Sequence, residues 1–512
     1  MSPFPRIVAL LFLSSPAIVA AQSVFDCVAP AAPALTAPVV LGNGSAGSVT
    51  TASLQAALDS GGPIRLNIGT STLVVTAELR ITRETVLDAN GATLSGGNAR
   101  RVFRVGNPNN LASYTFSLLN ATITGGSTPG ASGAGLYKPA EGPWQAVTIR
   151  IHNSRFTANT AIQSEQDGGG GAIYVIGAQE IAIIGSTLDG NRGSNGGALY
   201  SLGSRRVNLF DSTLSGNVAT GSGGNPGNGG NGGALGVDGE NRFVNLCRTR
   251  LLNNSAGAYG AGLFTVAYDL TSFTRIENST VQGNNSTGTS NAHTGGAYIQ
   301  GGPVSIRGST FRDNQASGYG GLSLFDHGGV VTSGDITNST FTGNVARTGL
   351  GGAMNLQATG GLTLQNLTIA NNSAPCNVCF AGGIANGSNP ITLRNTVFFN
   401  NTGGNAFNPW TMLQPVSGSN NIQWPLVRPD SFGQQENPVT PGAIFADAQL
   451  APIANNGGLT ETLALSATSP AVDAGTSTNA PPVDQRGRSR VGAVDVGAYE
   501  YAGDGLFANG FE

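Results

Sequence analysis

The sequence predicts an all-β fold, a right-handed parallel β-helix (a solenoid) of about eleven to twelve coils, with an N-terminal capping helix and a small C-terminal module. Three observations point there. An apolar residue three positions before an Asn recurs at Phe156/Asn159, Leu188/Asn191, Leu214/Asn217, Leu251/Asn254, Val281/Asn284, Phe311/Asn314, Phe341/Asn344, Ile369/Asn372 and Phe398/Asn401. A Gly-Gly-Ala mark or a near variant alternates with it, beginning at Gly170, Gly196, Gly232, Gly260, Gly295, Gly320, Gly351 and Gly382. Between the marks, segments such as Val147-Thr148-Ile149-Arg150-Ile151 alternate apolar and polar residues, which is strand periodicity, and none holds a helical apolar stripe.

The spacing separates core from edge. From the first Gly of a mark to the next marked Asn the chain keeps nearly constant length: 21 residues from Gly170 to Asn191, 19 from Gly295 to Asn314 and 24 from Gly320 to Asn344. From the Asn onward to the next Gly mark, the intervening residues vary from 4 after Asn191 to 14 after Asn217. Stacked units that share a core must keep the core arc in step, whereas insertions escape on one face. Asn153, Asn278, Asn338, Asn366 and Asn395, with Asp211 and Gly185, occupy one corner; these residues tolerate a left-handed backbone, so the corner is a bend. Asn side chains stacked at this bend are expected to bond coil to coil. Handedness follows from the general preference for right-handed crossovers.

At the N-terminus, residues 1–21 read as a secretory signal: Arg6, an apolar run from Ile7 to Leu13, and the small-residue site Val19-Ala20-Ala21. A leader, 22–47, follows. Thr51 or Ser53 is expected to cap a short helix carrying Leu54, Ala57 and Leu58, stopped by Gly61-Gly62-Pro63, which would cover the open edge of the first coil. Strand-like runs begin at once with Ile64-Arg65-Leu66, and the β-helix is expected over 48–405. An irregular connector, 406–446, a C-terminal module, 447–501, and a tail, 502–512, complete the division.

Composition narrows the function. Only 10% of residues are charged and 39% are hydrophobic, which is not the composition of a disordered chain. A net charge of −3 supplies no basic footprint for nucleic acid. No run after the signal reaches the length of a membrane-spanning helix, so the mature chain is expected to be exported, extracellular or at the outer cell surface, with no membrane span. Cys376-Asn377-Val378-Cys379 has two readings, a redox or metal pair and a loop-stapling disulfide; no second Cys pair or nearby His completes a zinc site, and the disulfide is expected. Cys27 and Cys247 cannot be paired from the sequence.

The alternating Gly-Gly-Ala and Phe-x-x-Asn marks over about residues 100–405 resemble those of polymorphic outer-membrane proteins, whose passenger domains are surface adhesins. Those proteins end in a membrane barrel, and the residues after Asn405 lack the amphipathic strands for one. Further on, Asn455-Asn456-Gly457-Gly458-Leu459, Ser469-Pro470-Ala471-Val472-Asp473-Ala474-Gly475, Asp484-Gln485-Arg486-Gly487 and Asp495-Val496-Gly497-Ala498-Tyr499-Glu500 resemble the choice-of-anchor Q domain, found after β-helices in exported bacterial proteins. Pro482 and Val494 stand near the places where that family often has cysteines. The ending Gly510-Phe511-Glu512 is similar to short tails on some exported Gram-negative proteins. The resemblances imply an exported, surface-associated β-helix.

Parallel β-helices also host pectate lyases and polygalacturonases, so catalysis by coil residues is the rival expectation. Glycoside hydrolysis uses paired carboxylates, and β-helix lyases use a calcium-binding acid cluster with a base. No Asp-Asp pair occurs, nor an Asn-x-Asp followed by Gly-His-Gly. Asp326-His327-Gly328-Gly329 with Asp335 is the nearest candidate, and a surface pair in a turn is its plainer reading. Arg486, Arg488, Arg490, Asp484 and Asp495 are expected to pair with one another over the final coil. No metal site or cofactor is expected. The long variable loops, 160–169, 218–231, 285–294 and 373–381, should form one ridge carrying Gln163, Glu165, Gln166, Asp167, Asn225, Asn228, Asn231 and His293, groups suited to a polysaccharide or cell-surface glycan. Two functions stand: an adhesin-like binding protein, and a polysaccharide lyase or glycoside hydrolase. Ligand and oligomeric state are not legible.

Overall fold

The structure, a computed structural model, describes residues 27–503 apart from 108, 110, 111, 163, 164, 225, 226, 241 and 431. The expected signal and most of the tail, with Gln163 and Asn225, lie outside the described residues.

The chain winds as a parallel β-solenoid. Its strands stack into three sheets of 26, 11 and 9 strands, every ladder between named strands parallel and most pairing one coil with the next. The eleven- and nine-strand depths put the solenoid at about ten turns, at or just under the expected number. Within the widest sheet two columns run side by side, joined where Thr332–Thr342 and Leu362–Ala370 pass through both. That sheet overruns the expected limits. Val39–Leu41 pairs with Gly62–Leu66 at one end, and Ser417–Ser419, Ile422–Trp424 and Ile444–Phe445 continue it at the other. The helix spans Thr51–Ser60, with Thr50 rather than Thr51 or Ser53 as N-cap; Thr50 and Ser53 form a reciprocal capping box. Leu54 and Leu58 enter the core.

The marked residues do what their spacing implies. Phe156, Leu188, Leu214, Val281, Phe311, Phe341, Ile369 and Phe398 all have no solvent exposure. Phe341 lies in register between Phe311 and Ile369, its ring 4.7 Å from that of Phe311. The corner residues Asn153, Gly185, Asp211, Asn278, Asn338, Asn366 and Asn395 all have φ between 45° and 56°. Arg248 (φ 48°) takes the same corner, a residue type that gave no signal.

The coil-to-coil amide ladder, however, is not at this bend. It runs through the other Asn, the one closing each Phe-x-x-Asn mark. Asn159 Nδ2 donates to Asn191 Oδ1 at 3.0 Å, and the chain continues without interruption through Asn217, Asn254, Asn284, Asn314, Asn344 and Asn372 to Asn401. Each of these amides lies inside the corner, where water cannot compete, so the polar atoms satisfy one another. At the bend, Asn395 to Asn366 (3.3 Å) is the single such contact seen among the described residues. There the serines after the bend carry the inter-coil bonds instead, as in Ser309 N to Ser339 Oγ at 3.1 Å.

The bend row is occupied by the two ends of the chain. Cys27 is bonded to Cys247, and Arg248 donates to the Cys27 carbonyl. Cys27 and Ala29 pack on Ala182, Ile184 and Phe210. From Cys27 to Val39 is twelve residues, about 37 Å at the ~3.1 Å rise of an extended, proline-rich chain. The strands from Val39–Leu41 to Phe243–Cys247 are seven inter-strand steps apart, about 34 Å at ~4.8 Å each, so the segment fits as a strap along the rod. Farther on, residues 447–501 take over the same row. Asn338 donates to Val483 O, Asn366 to Asp495 O, Asn395 to Thr476 O and Asn420 to Ala474 O. Asp484–Arg486 and Arg490–Glu500 form buried ion pairs, both at 2.7 Å. Of the five charged residues expected to pair, Arg486 and Asp484 do so; Arg490 takes Glu500 instead and Asp495 accepts from the Asp473 and Tyr501 N–H groups, and the group flanks the side of several coils.

Candidate functional site: an aromatic groove at the loop corner

After each marked Asn the chain makes a two-residue strand of the smallest sheet, then the variable loop, then the Gly mark, then a strand of the eleven-stranded sheet. All the variable loops therefore leave at one corner. They bond to one another along the rod: Asn231 N donates to Asn195 Oδ1, Tyr259 N to Asn231 Oδ1, and Thr348 to Asn291.

Strand alternation sets the floor beside this corner. Leu136, Ile173 and Leu199 face the core, so their neighbours Tyr137, Tyr174 and Tyr200 face outward in register. Their rings stack at 5.8 and 6.1 Å. Tyr200 is covered, because the next coil offers Gly236 and the ring fills the space that a Cβ there would need. Tyr174 is 5% exposed, its ring lying between the other two, and with the half-buried Tyr137 it lines an open groove of about 340 Å3 together with Arg101, Glu165, Asp167 and Ile176.

The wall of the groove is held in place. Tyr174 Oη donates to Asp167 O at 2.5 Å, and Asn195 Nδ2 donates to Gln166 O and Gly168 O, both at 2.8 Å. Gly169 N donates to Ser132 Oγ. Burial first, then Tyr137, Asp167 and Glu165, push the Tyr174 phenol up, which keeps it a donor. Arg101 lies 4.4 Å over the Tyr137 ring. Its guanidinium donates to Glu78 at 2.6 Å and to the Gly133 and Ser132 carbonyls. Glu165 and Asp167 are exposed.

Past Ile176 the floor continues into Trp144. Its indole lies over Gly177 and Gly203 of successive coils, where a Cβ would come within 2.5 Å of the ring, yet it remains 60% exposed. Gln145 fixes the segment by bonding Gly177 O and Gly203 O. Sequence reading missed Tyr137, Tyr174 and Trp144. The available signals were a Tyr at one strand position in three successive coils and a Gly closing two of those strands.

The other ridge residues are spent on the fold. His293 is 5% exposed and packs edge-on against Tyr259 at 5.2 Å. Burial holds its imidazole below the ordinary histidine value. Asn228 Oδ1 accepts from Ser222 N inside its own loop, and Asn231 is buried. Asp326, His327 and Asp335 serve three separate contacts. Asp326 accepts from Thr332 N and Thr359 N, the His327 ring meets Tyr268 edge-on at 4.7 Å, and Asp335 pairs with Arg307 at 3.0 Å on the widest sheet. Cys376 and Cys379 are bonded to each other, with no free cysteine among the described residues. Among the described residues no group of His, Cys, Asp and Glu gathers to hold a metal ion, and no helix is long and apolar enough to cross a membrane.

No protein-family model matches this chain, and no curated protein does. Among solved structures the chain is similar to pectate lyase Pel9A, at 16% identity over 90% of this chain and 95% of that one, with a TM-score of 0.34. It is similar to bacteriophage CBA120 tailspike protein 3, at 12% identity over 80% of this chain and 62% of that one, TM-score 0.29. It is also similar to PfbA, a surface adhesin of Streptococcus pneumoniae, at 11% identity over 84% of this chain and 99% of that one, TM-score 0.27. Identities and scores of this order say nothing about what this chain binds.

Proposed function

We propose that this chain is an exported, adhesin-like binding protein, displayed at the cell surface or secreted, that holds a polar glycan at its loop corner. One observation carries the reading: the preorganised groove that Tyr137, Tyr174, Glu165 and Asp167 line, with the exposed Trp144 indole on the same face beyond Ile176. A sugar ring presents a C–H face that matches an aromatic face and a rim of hydroxyls that seeks acceptors. The signal at 1–21, the anchoring role of 447–501 and the capping role of the helix belong to this proposal. A lyase or hydrolase is the rival; Asp326, His327 and Asp335 do not converge on one bond, which favours binding.

Retention on immobilised neutral and acidic polysaccharides, with release of unsaturated or reducing sugar measured alongside, tests this. The expected result is retention without release, weakened about tenfold or more by Trp144→Ala in a variant whose Tm is unchanged. Retention on nothing, or retention unchanged by Trp144→Ala, overturns the site. Sugar release lost on Glu165→Gln or Asp167→Asn establishes the enzyme instead.

A further inference from the structure

The charge balance of the groove, taken with the reading of it as a glycan site, says which sugars enter. Two arginines stand at the floor, and both are spoken for. Arg101 is held by Glu78 and two carbonyls, and Arg104 is paired with Glu141. The Lys138 side chain leaves its strand on the face opposite Tyr137, is 1% exposed, and donates to Pro139 O and Ile176 O at 2.8 Å. Arg101 and Arg104 each already carry a carboxylate partner, Glu78 and Glu141, and Lys138 is buried, so none of the three brings an uncompensated positive charge to the groove. The two charges that do face the open space are the carboxylates of Glu165 and Asp167, on a loop pinned by Tyr174, Asn195 and Ser132.

We infer that the groove selects sugars bearing a free amine, accepts neutral sugars more weakly, and rejects uronates. An ammonium group on a sugar held in this groove gains the attraction of both carboxylates. A uronate in the same place meets two like charges, and the one cation lining the groove, Arg101, is already paired with Glu78. The bonds that Tyr174 and Asn195 make to the loop backbone keep the two carboxylates at the mouth of the groove.

Titration calorimetry of the full chain with oligomers of glucosamine, N-acetylglucosamine and galacturonate, equal in length, tests this at low and at higher salt. The expected order is glucosamine tightest, N-acetylglucosamine weaker by about fivefold or more per facing carboxylate, and galacturonate without measurable binding. Added salt should narrow the gap. Glu165→Gln with Asp167→Asn should bring the first two oligomers level, and an unchanged circular dichroism spectrum and Tm show that the variant is folded. Galacturonate binding as tightly as glucosamine, or a preference that survives the double substitution, overturns the inference and leaves the glycan site standing. Absence of binding by all three, and of retention on any polysaccharide, overturns both.

Discussion

Asn314→Ala is the substitution that most sharply tests what holds the coils in register. The Asn314 side chain is fully buried and makes four bonds. Its Oδ1 accepts from Asn284 N (3.0 Å) and Asn284 Nδ2 (2.9 Å), and its Nδ2 donates to Val281 O (2.8 Å) and Asn344 Oδ1 (2.9 Å). Removing it does not strand all four groups equally. Asn284 Nδ2 keeps Leu251 O, and Asn344 Oδ1 keeps Asn314 N. The Asn284 N–H and the Val281 carbonyl lose the partner the ladder gave them. At about 1–3 kcal/mol for each stranded buried group, the expected loss is about 4 kcal/mol. Asn314→Asp should be no milder, because it sets an oxygen against Val281 O and Asn344 Oδ1. Equilibrium urea unfolding gives the magnitude and hydrogen exchange the location. Stacked coils depend on nearest neighbours, so protection should fall first in Thr280–Gln282 and Thr310–Arg312. A loss below about 1 kcal/mol, or one spread evenly along the rod, would refute the ladder as the register device.

Phe341→Ala removes a ring stacked in the core and should cost about 3–5 kcal/mol in the same unfolding assay; less than about 1 kcal/mol contradicts the assigned register. Cys27→Ser should loosen the N-terminal strap, raising protease cleavage between Cys27 and Val39 and exchange around Phe210, while strands beyond Leu322 stay protected. Cys376 and Cys379 should resist thiol labelling until reductant is added. His152, in register with Ile184, is buried, and burial, then Arg150, lowers its pKa from 6.5. The unfolded chain then binds that proton more readily, so stability is complete above about pH 6.5 and declines as pH falls through it. Burial raises Asp495 to about 6 and works in the opposite sense, so the test is differential: His152→Leu should flatten the acid-side fall in Tm, and an unchanged slope counts against it.

Much of the solenoid was legible because each mark has a physical reason to recur. Phe341 must fill the core in every coil and Asn338 must turn a left-handed corner, so both leave a periodic trace. The two corners share that chemistry, and this misplaced the amide ladder. Asn371 and Gly343, just before the marked Asn, also sit at positive φ (57° and 66°), so the bend signal alone does not say which Asn points inward. The partners of the chain ends left no such trace. Asn366 donates to Asp495 O, a backbone carbonyl that any residue would supply, and the Cys27–Cys247 bridge joins segments 220 residues apart. At the groove, Glu165 and Asp167 were readable as polar groups on a long loop. Tyr137 and Tyr174 were not, because an outward Tyr on a strand with a buried opposite face reads as ordinary alternation. Trp144 needed the glycines of two later coils to give it a bed.

The central claim is that binding belongs to the loop corner and not to the faces covered by the chain ends. Hydrogen exchange of the full chain, with and without a saturating glucosamine or N-acetylglucosamine oligomer, tests it most directly. The account expects new protection confined to 130–138, 143–146 and 165–177, with the bend row and residues 447–501 unchanged. Protection centred on 447–501, or along the widest sheet between Glu277 and Phe341, would contradict it.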